Sequence, residues 1–319
     1  MLNREELFEK LSKLETEQIN LYTLDIDIVS IEETVRLINN EDKKVAYAIE
    51  QHISEIAKAV EIIRDAFLAG GRLFYFGAGT SGRLGIIDAA ECPPTFGSDP
   101  GMVQGIIAGG RDAVFVAQEG AEDNPQNGAN DVIKFGVSVN DVICGIAASG
   151  RTPYVIGALQ KAREIGCKTI LVSTVSVNNA IENGAIADVM ICVPVGPEAI
   201  AGSTRLKSGT AQKMILNILT TASMVHIGKT YGNIMIDLKA TNIKLQERAK
   251  RIVMNITGVD YQTAEVFLIK SNWKVKYAIL MIIGKLNYEE AQNLLKKASG
   301  KVRIALQMLE EKSKNFNII

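Results

Sequence analysis

A three-layer α/β fold, with a five-stranded parallel sheet between helices, is predicted for most of this 319-residue chain. Two observations predict it. Five short runs, 73–76, 102–108, 142–147, 168–173 and 189–193, are almost wholly apolar and rich in β-branched residues, as strands buried on both faces are, and helical patterns fall between them at 83–90, 112–119, 153–165 and 179–184. The first and third runs also end in small-residue loops that lead into helices: Gly77-Ala78-Gly79-Thr80-Ser81-Gly82-Arg83 and Ala147-Ala148-Ser149-Gly150-Arg151-Thr152-Pro153. In an open parallel sheet, ligands bind outside the carboxyl ends of the strands, which is where both loops fall.

The remaining elements follow in order. Ser30-Ile31-Glu32-Glu33 reads as a capping box, and from Asn40 an amphipathic helix runs to about residue 69, with Val45, Ile49, Ile53, Ile56, Val60, Ile63 and Phe67 at steps of three and four. Gly70-Gly71 stops it. After Gly202-Ser203-Thr204-Arg205 a second long helix carries Ala211, Met214, Ile215, Ile218, Leu219 and Met224. Beyond about Leu245 glycines thin out and strands disappear, leaving three amphipathic helices at 261–270, 272–283 and 288–299. The expected organisation is a sheet-bearing domain over 1–245 with an N-terminal helical arm, and a small helical, UBA-like domain over 246–319. The alternative is that the last helices pack on the main sheet.

Composition narrows the function. The 35 basic and 36 acidic residues give a net charge of −1, so no overall field gathers nucleic acid or an anionic membrane, and any anion must be caught locally. The four cysteines, Cys92, Cys144, Cys167 and Cys192, form no C-x-x-C pair and read as reduced core residues. Met1-Leu2-Asn3-Arg4-Glu5-Glu6 lacks the apolar run of a signal peptide and no apolar stretch is long enough to span a bilayer. A cytoplasmic location is expected. With only His52 and His226, no metal site is expected.

Both loops suit a phosphorylated ligand. Glycine permits the tight turn, while backbone N–H groups and hydroxyls are presented where the helix dipole favours an anion. Neither is a Walker loop, because no Lys-Ser or Lys-Thr pair follows the glycines. Gly77, Gly79 and Gly82 do give G-x-G-x-x-G, but the acid that would hold a ribose is missing from the end of a second strand. The competing reading is plain tight turns whose hydroxyls cap helices.

The stretches 77–85, Asp88-Ala89-Ala90-Glu91-Cys92-Pro93-Pro94-Thr95-Phe96, Glu119-Gly120-Ala121-Glu122-Asp123-Asn124 and 145–154 closely resemble the N-acetylmuramic acid 6-phosphate etherase family, which has the sugar-isomerase (SIS), flavodoxin-like fold. Gly196-Pro197-Glu198, the run from Gly202 to Lys213 and Ala240-Thr241-Asn242 with Lys244-Leu245 look like the same family. One departure stands at Thr16-Glu17-Gln18-Ile19-Asn20-Leu21, where the family tends to have Thr-Glu-x-Arg-Asn-Pro. The resemblance implies cleavage of the D-lactyl ether at C3 of the sugar phosphate, giving N-acetylglucosamine 6-phosphate and D-lactate in cell-wall sugar recycling. Acid/base chemistry suffices for this, without metal or organic cofactor.

The resemblance points to Glu91 as proton donor to the departing lactate and to Glu122 as the second acid/base residue. By base rate Glu91 is a solvated surface group; its uncharged, stiff neighbours Ala89-Ala90 and Cys92-Pro93-Pro94 instead suggest partial desolvation and a raised pKa. Spacing alone does not choose among Glu119, Glu122 and Asp123. Gly79, Thr80, Ser81, Ser149, Gly150, Arg151 and Thr152 are the expected phosphate and sugar contacts, with Glu198, Ser203 and Lys207 as a further pocket wall. For Glu198 to Lys207 the alternative is a capped helix start, and for Arg83 a surface ion pair. The family implies a homodimer whose partner completes each site, with His226 or the 198–207 region the candidates. Otherwise His52, His226 and Trp273 read as structural. Two other functions share the phosphate loops: an aldose–ketose sugar-phosphate isomerase, and a sugar-phosphate-sensing regulatory module, against which no basic helix-turn-helix precedes the domain.

Overall fold

The structure is a computed structural model that describes residues 15–316, with side chains through Glu311. The Met1 to Glu6 run lies outside the described residues. The described residues divide into two compact units: those up to Ala90 with Pro100–Thr220, and Glu91–Asp99 with those from Thr221 on.

In the first unit, Ser30 caps α1 (Ile31–Glu50) by accepting from the Glu33 N–H, and α2 (Ile53–Leu68) follows. The single helix expected over 40–69 is thus two. His52 leaves helical backbone at φ −118°, and the break turns Ile53 out to solvent, whereas Val45, Ile49, Ile56, Val60, Ile63 and Phe67 are buried as their spacing predicts.

The sheet comprises β1 (Leu73–Gly77), β2 (Val103–Ile107), β3 (Val142–Ile146), β4 (Lys168–Ser173) and β5 (Val189–Cys192) in the order β2-β1-β3-β4-β5, every pair parallel. Both β1 and β3 are buried throughout, which accounts for their continuous apolar sequence. The connecting helices are α3 (Gly79–Phe96), α4 (Pro125–Lys134), α5 (Pro153–Ile165) and α6 (Val177–Glu182), and α7 (Lys207–His226) runs from the first unit into the second.

One expected helix is absent. Residues 112–119 form only a 3-10 turn, Arg111–Val114, and Phe115 and Val116 are exposed rather than packed. The helix of that crossover is α4, with Pro125 in its first turn and Asn124 accepting from the Gln126 N–H. It crosses α5 at backbone contact: a Cβ on Gly128 would lie 1.9 Å from the Tyr154 carbonyl oxygen, and one on Gly157 1.9 Å from that of Pro125.

The second unit begins before the boundary expected at residue 246, because Ile236 and Leu238 belong to its apolar core. A short hairpin, β6 (Thr230–Tyr231) and β7 (Ile234–Met235), precedes five helices: α8 (Ile243–Thr257), α9 (Tyr261–Lys270), α10 (Val275–Gly284), α11 (Tyr288–Lys297) and α12 (Val302–Phe316). The first and last of these were not expected.

At the amino-terminal edge of the sheet, the buried Asp141 carboxylate joins the starts of β1 and β3. It accepts from the Arg72 N–H at 2.8 Å, from the Arg72 guanidinium at 3.1 and 2.8 Å, and from the Ser138 N–H and hydroxyl at 2.8 and 3.0 Å. Burial alone would raise its pKa, but these bonds outweigh it and hold it below the usual carboxylate range. A depressed folded pKa stabilises the fold fully above the unfolded value near ~3.9, and that stabilisation is lost as pH falls from there through the folded pKa. Asp141→Asn is therefore expected to lower the unfolding free energy at pH 7 by about 1.5–3 kcal/mol, the worth of hydrogen bonds to a charged group. In urea melts the gap between the two proteins closes as the pH is lowered below about 4.

Candidate functional site

Strand β1 turns into α3 through Gly77 and Gly82, whose backbones touch: a Cβ on Gly77 would lie 2.7 Å from the Gly82 nitrogen. Gly79, at φ +52°, opens the helix. Thr80 is half-buried, Ser81 is buried, and the Ser81 hydroxyl donates to Gln212 Oε1 at 2.8 Å. Arg83 forms no ion pair with an acid among the described residues; its guanidinium donates to the carbonyls of Val114 and Ala113 at 2.8 Å each and anchors the 3-10 turn.

The second loop is built differently. Thr152 is the N-cap of α5 but its side chain makes no capping bond, contrary to the helix-cap alternative, and Pro153 takes the first helical position. The Tyr154 N–H instead reaches out to the Glu122 carbonyl at 3.0 Å, so the acidic turn is docked against the start of α5. Gly150 is buried at φ +66°, and Ser149, Arg151 and Thr152 are half-buried.

That docking gives Glu122 its setting. A cleft of about 160 Å³ is lined by Gly79, Arg83, Ala108, Gln118, Glu119 and Glu122 among others. Glu122 is exposed by surface area, like Glu91, yet partial desolvation of its carboxyl at the cleft raises its pKa; the Asp123 charge raises it further and Arg151 partly opposes the shift. Of the three acids that spacing left open, Glu119 and Glu122 line the cleft, and Glu122 alone is bonded through its backbone to the second loop. Glu91 is exposed on α3, within the second compact unit, and the partial burial expected from its neighbours is not found. Its neighbour Asp88 is the buried acid of that helix, accepting from Tyr75 at 2.9 Å, Asn217 at 2.9 Å and Thr220 at 3.1 Å, while burial raises its pKa against those bonds.

Glu198 and Lys207, expected with Ser203 as a further pocket wall, have their polar ends engaged within the chain. Glu198 is fully buried and caps α7: its two oxygens accept the N–H groups of Lys207 and Ser208, each at 2.9 Å. Lys207 is equally buried, its ammonium 2.7 Å from Glu41. The polar ends of both are committed inside the protomer, as in the capped-helix alternative. Ser203 is half-buried at the turn before α7. Burial would raise the Glu41 pKa, but bonds from Lys207, Lys44 and Asn20 bring it below the ordinary value.

The N-terminal arm is bonded to this same loop. The Gly202 N–H donates to the Thr16 carbonyl at 3.1 Å, Asn20 donates to the Pro197 carbonyl at 3.0 Å and Thr23 to the Ala199 carbonyl at 2.9 Å. The departing residues Ile19 and Leu21 are 66% and 77% exposed, so the substitutions leave these bonds in place. His226 is exposed, His52 is half-buried at the break between α1 and α2, and Trp273 packs against the core of the second unit.

Two residues were missed by sequence reasoning: Ser208 and Gln212. Both are buried, one turn apart on α7, and Ser208 Oγ and Gln212 Nε2 have no hydrogen-bond partner among the described residues. An unmet buried donor costs about 1–3 kcal/mol, and such orphans call for an explanation. The available signal was two polar residues interrupting the apolar series Ala211, Ile215, Leu219.

A parallel sheet of this order, with a glycine-containing loop after β1 and after β3, is a doubly wound, flavodoxin-like α/β fold. Residues 55–163 match the glucokinase regulatory protein N-terminal SIS domain family, and residues 232–278 the C-terminal lid domain of glucokinase regulatory protein. The chain is 56% identical to N-acetylmuramic acid 6-phosphate etherase of Salinibacter ruber, over 87% of this chain and 88% of that protein. It is also 56% identical to the Clostridioides difficile protein of the same name, over 86% and 90%. The chain belongs to the N-acetylmuramic acid 6-phosphate etherase family.

Glu198→Gln removes one of the two acceptors at the start of α7 and strands a buried N–H. It is expected to lower the unfolding free energy in urea by about 1–3 kcal/mol. An unchanged urea midpoint would contradict the capping role.

Proposed function

We propose that the protein cleaves the D-lactyl ether of N-acetylmuramic acid 6-phosphate, releasing D-lactate and N-acetylglucosamine 6-phosphate. The observation that carries this reading is the Glu122 carboxyl, raised in pKa within a cleft that includes Gly79 of the first loop, and tied through its backbone to the second. Membership of the etherase family supports the choice of substrate. Ser81, Thr80 and Gly79 with Ser149, Gly150, Arg151 and Thr152 hold the phosphate and sugar; Glu122 and Glu91 move the protons.

In the ring-opened sugar the C1 aldehyde acidifies the C2 proton. Glu122, ionised, takes that proton; the electron pair forms the C2–C3 double bond, and the C3–O bond breaks as Glu91 protonates the departing lactate oxygen. Water then adds its oxygen to C3 and C2 regains a proton, so substrate and water balance the two products. Two carboxyl groups, one taking a proton and one giving a proton, are the parts such a sequence needs.

The working unit is a homodimer in the cytoplasm. Supporting the dimer, Ile28, Ile31 and Val35 are exposed together at the start of α1, whereas α7 buries most of its apolar face and leaves Ile218 and Val225 partly open. Supporting a reducing compartment, all four cysteines are free and buried, with Cys167 and Cys192 pushed up to about 11 by burial. Among the described residues no helix is long and apolar enough to cross a membrane.

Glu122→Gln and Glu91→Gln are each expected to lower turnover in a D-lactate assay about 10²–10⁴-fold. Because the base must be ionised, wild-type kcat/KM falls as pH drops through a carboxyl pKa above the ordinary glutamate value, and this limb is absent in Glu122→Gln. Lactate release unchanged in Glu122→Gln would overturn the assignment. Val35→Glu, charging the apolar start of α1, is expected to shift the sedimentation coefficient from dimer towards monomer. A wild-type protein already monomeric at assay concentration would contradict the dimer.

A further inference from the structure

The first phosphate loop and α7 meet through one buried polar contact. Gly209 lies against Thr80, a Cβ there falling 3.5 Å from Thr80 Cγ2, and on either side of it on α7 stand Ser208 and Gln212. Ser81 gives its only hydroxyl proton to Gln212 Oε1, while Gln212 Nε2 and Ser208 Oγ lie buried with no hydrogen-bond partner among the described residues. This arrangement is the wrong way round for an anion: a phosphate oxygen accepts hydrogen bonds and needs that proton.

We propose that Gln212 is a positioning residue for Ser81, its amide turning by half a rotation when the substrate phosphate arrives so that Nε2 donates to Ser81 Oγ and the Ser81 hydroxyl is released to donate to the phosphate. The two ends of an amide have nearly the same shape, so the turn exchanges bonds without repacking the core. It gives the orphaned Nε2 an acceptor. The displaced Oε1 needs a donor in turn, and Ser208, one helical turn earlier on the same face, carries a hydroxyl without a partner. Gln212 touches no substrate; it sets which way the Ser81 proton points. The inference deepens the proposed function, resting on the phosphate role given there to Ser81.

The test is a double-mutant cycle on D-lactate release from N-acetylmuramic acid 6-phosphate, with wild type, Ser81→Ala, Gln212→Met and the pair. Gln212→Met is expected to raise KM about tenfold, the loss falling on KM rather than kcat, and to add nothing further in the Ser81→Ala background. KM unchanged in Gln212→Met, or raised by the same factor with and without Ser81, overturns the inference. Should Gln212→Met fail to fold, Gln212→Glu keeps the volume: its neutral acid can donate to Ser81 and its carboxylate cannot, so KM rises with pH relative to wild type, and a parallel pH profile overturns the inference. If wild type releases no lactate, the etherase reading falls, and the same cycle is read from calorimetric binding of N-acetylglucosamine 6-phosphate. Failure of wild type to bind that sugar phosphate overturns the positioning role as well.

Discussion

The first unit depends on a carboxylate that has given up water altogether. Glu198 is buried with one oxygen on the Lys207 N–H and the other on the Ser208 N–H, and the positive end of the α7 dipole faces it. Burying a charge is costly unless each lone pair is met, so this geometry fixes where α7 starts and how it is rotated. The neighbouring Lys207–Glu41 pair extends the constraint to α1, and the bonds from Thr16, Asn20 and Thr23 extend it to the N-terminal arm. From that start, helical spacing carries Gln212 to Ser81 in the loop after β1.

The second loop is positioned by a different device. Two glycines bring α4 and α5 to backbone contact, and the segment entering α4 passes close enough to the start of α5 for the Tyr154 N–H to bond the Glu122 carbonyl. An acid on an otherwise exposed turn thereby gains a fixed place beside Arg151 and a partly desolvated carboxyl. That placement is made through the backbone, by the Tyr154 N–H on the Glu122 carbonyl.

Local pattern made much of this legible. The run 168–173 and the helix 153–165 are found with those bounds, and the sheet strands lie within a residue or two of the apolar runs, because residues buried on both faces have no freedom to be polar. What local pattern misread was decided by distant chain. Residues 112–119 carry apolar side chains at helical spacing, but their backbone carbonyls at Ala113 and Val114 are captured by Arg83 and the segment stays a 3-10 turn. Glu198 and Lys207, a pocket wall by family resemblance with a capped helix start as the alternative, are engaged in the fold by N–H groups of α7 and by the Glu41 carboxylate. Glu91 sits among neighbours that suggest burial, yet its helix turns it outward while Asp88, three residues earlier, takes the buried face. The glycine loops were readable because their backbone demands are local; the Ser81–Gln212 contact was not, since it joins residues 131 positions apart.

In the proposed reaction the ether is broken at C3 by elimination and re-addition of water, with Glu122 handling the C2 proton. The most direct measurement follows one turnover of N-acetylmuramic acid 6-phosphate in deuterated, ¹⁸O-enriched water by NMR and mass spectrometry. The account predicts one deuterium at C2 and the ¹⁸O on C3 of the N-acetylglucosamine 6-phosphate, with none in the lactate. Label in the lactate, or a C2 position that keeps its original proton, would contradict it.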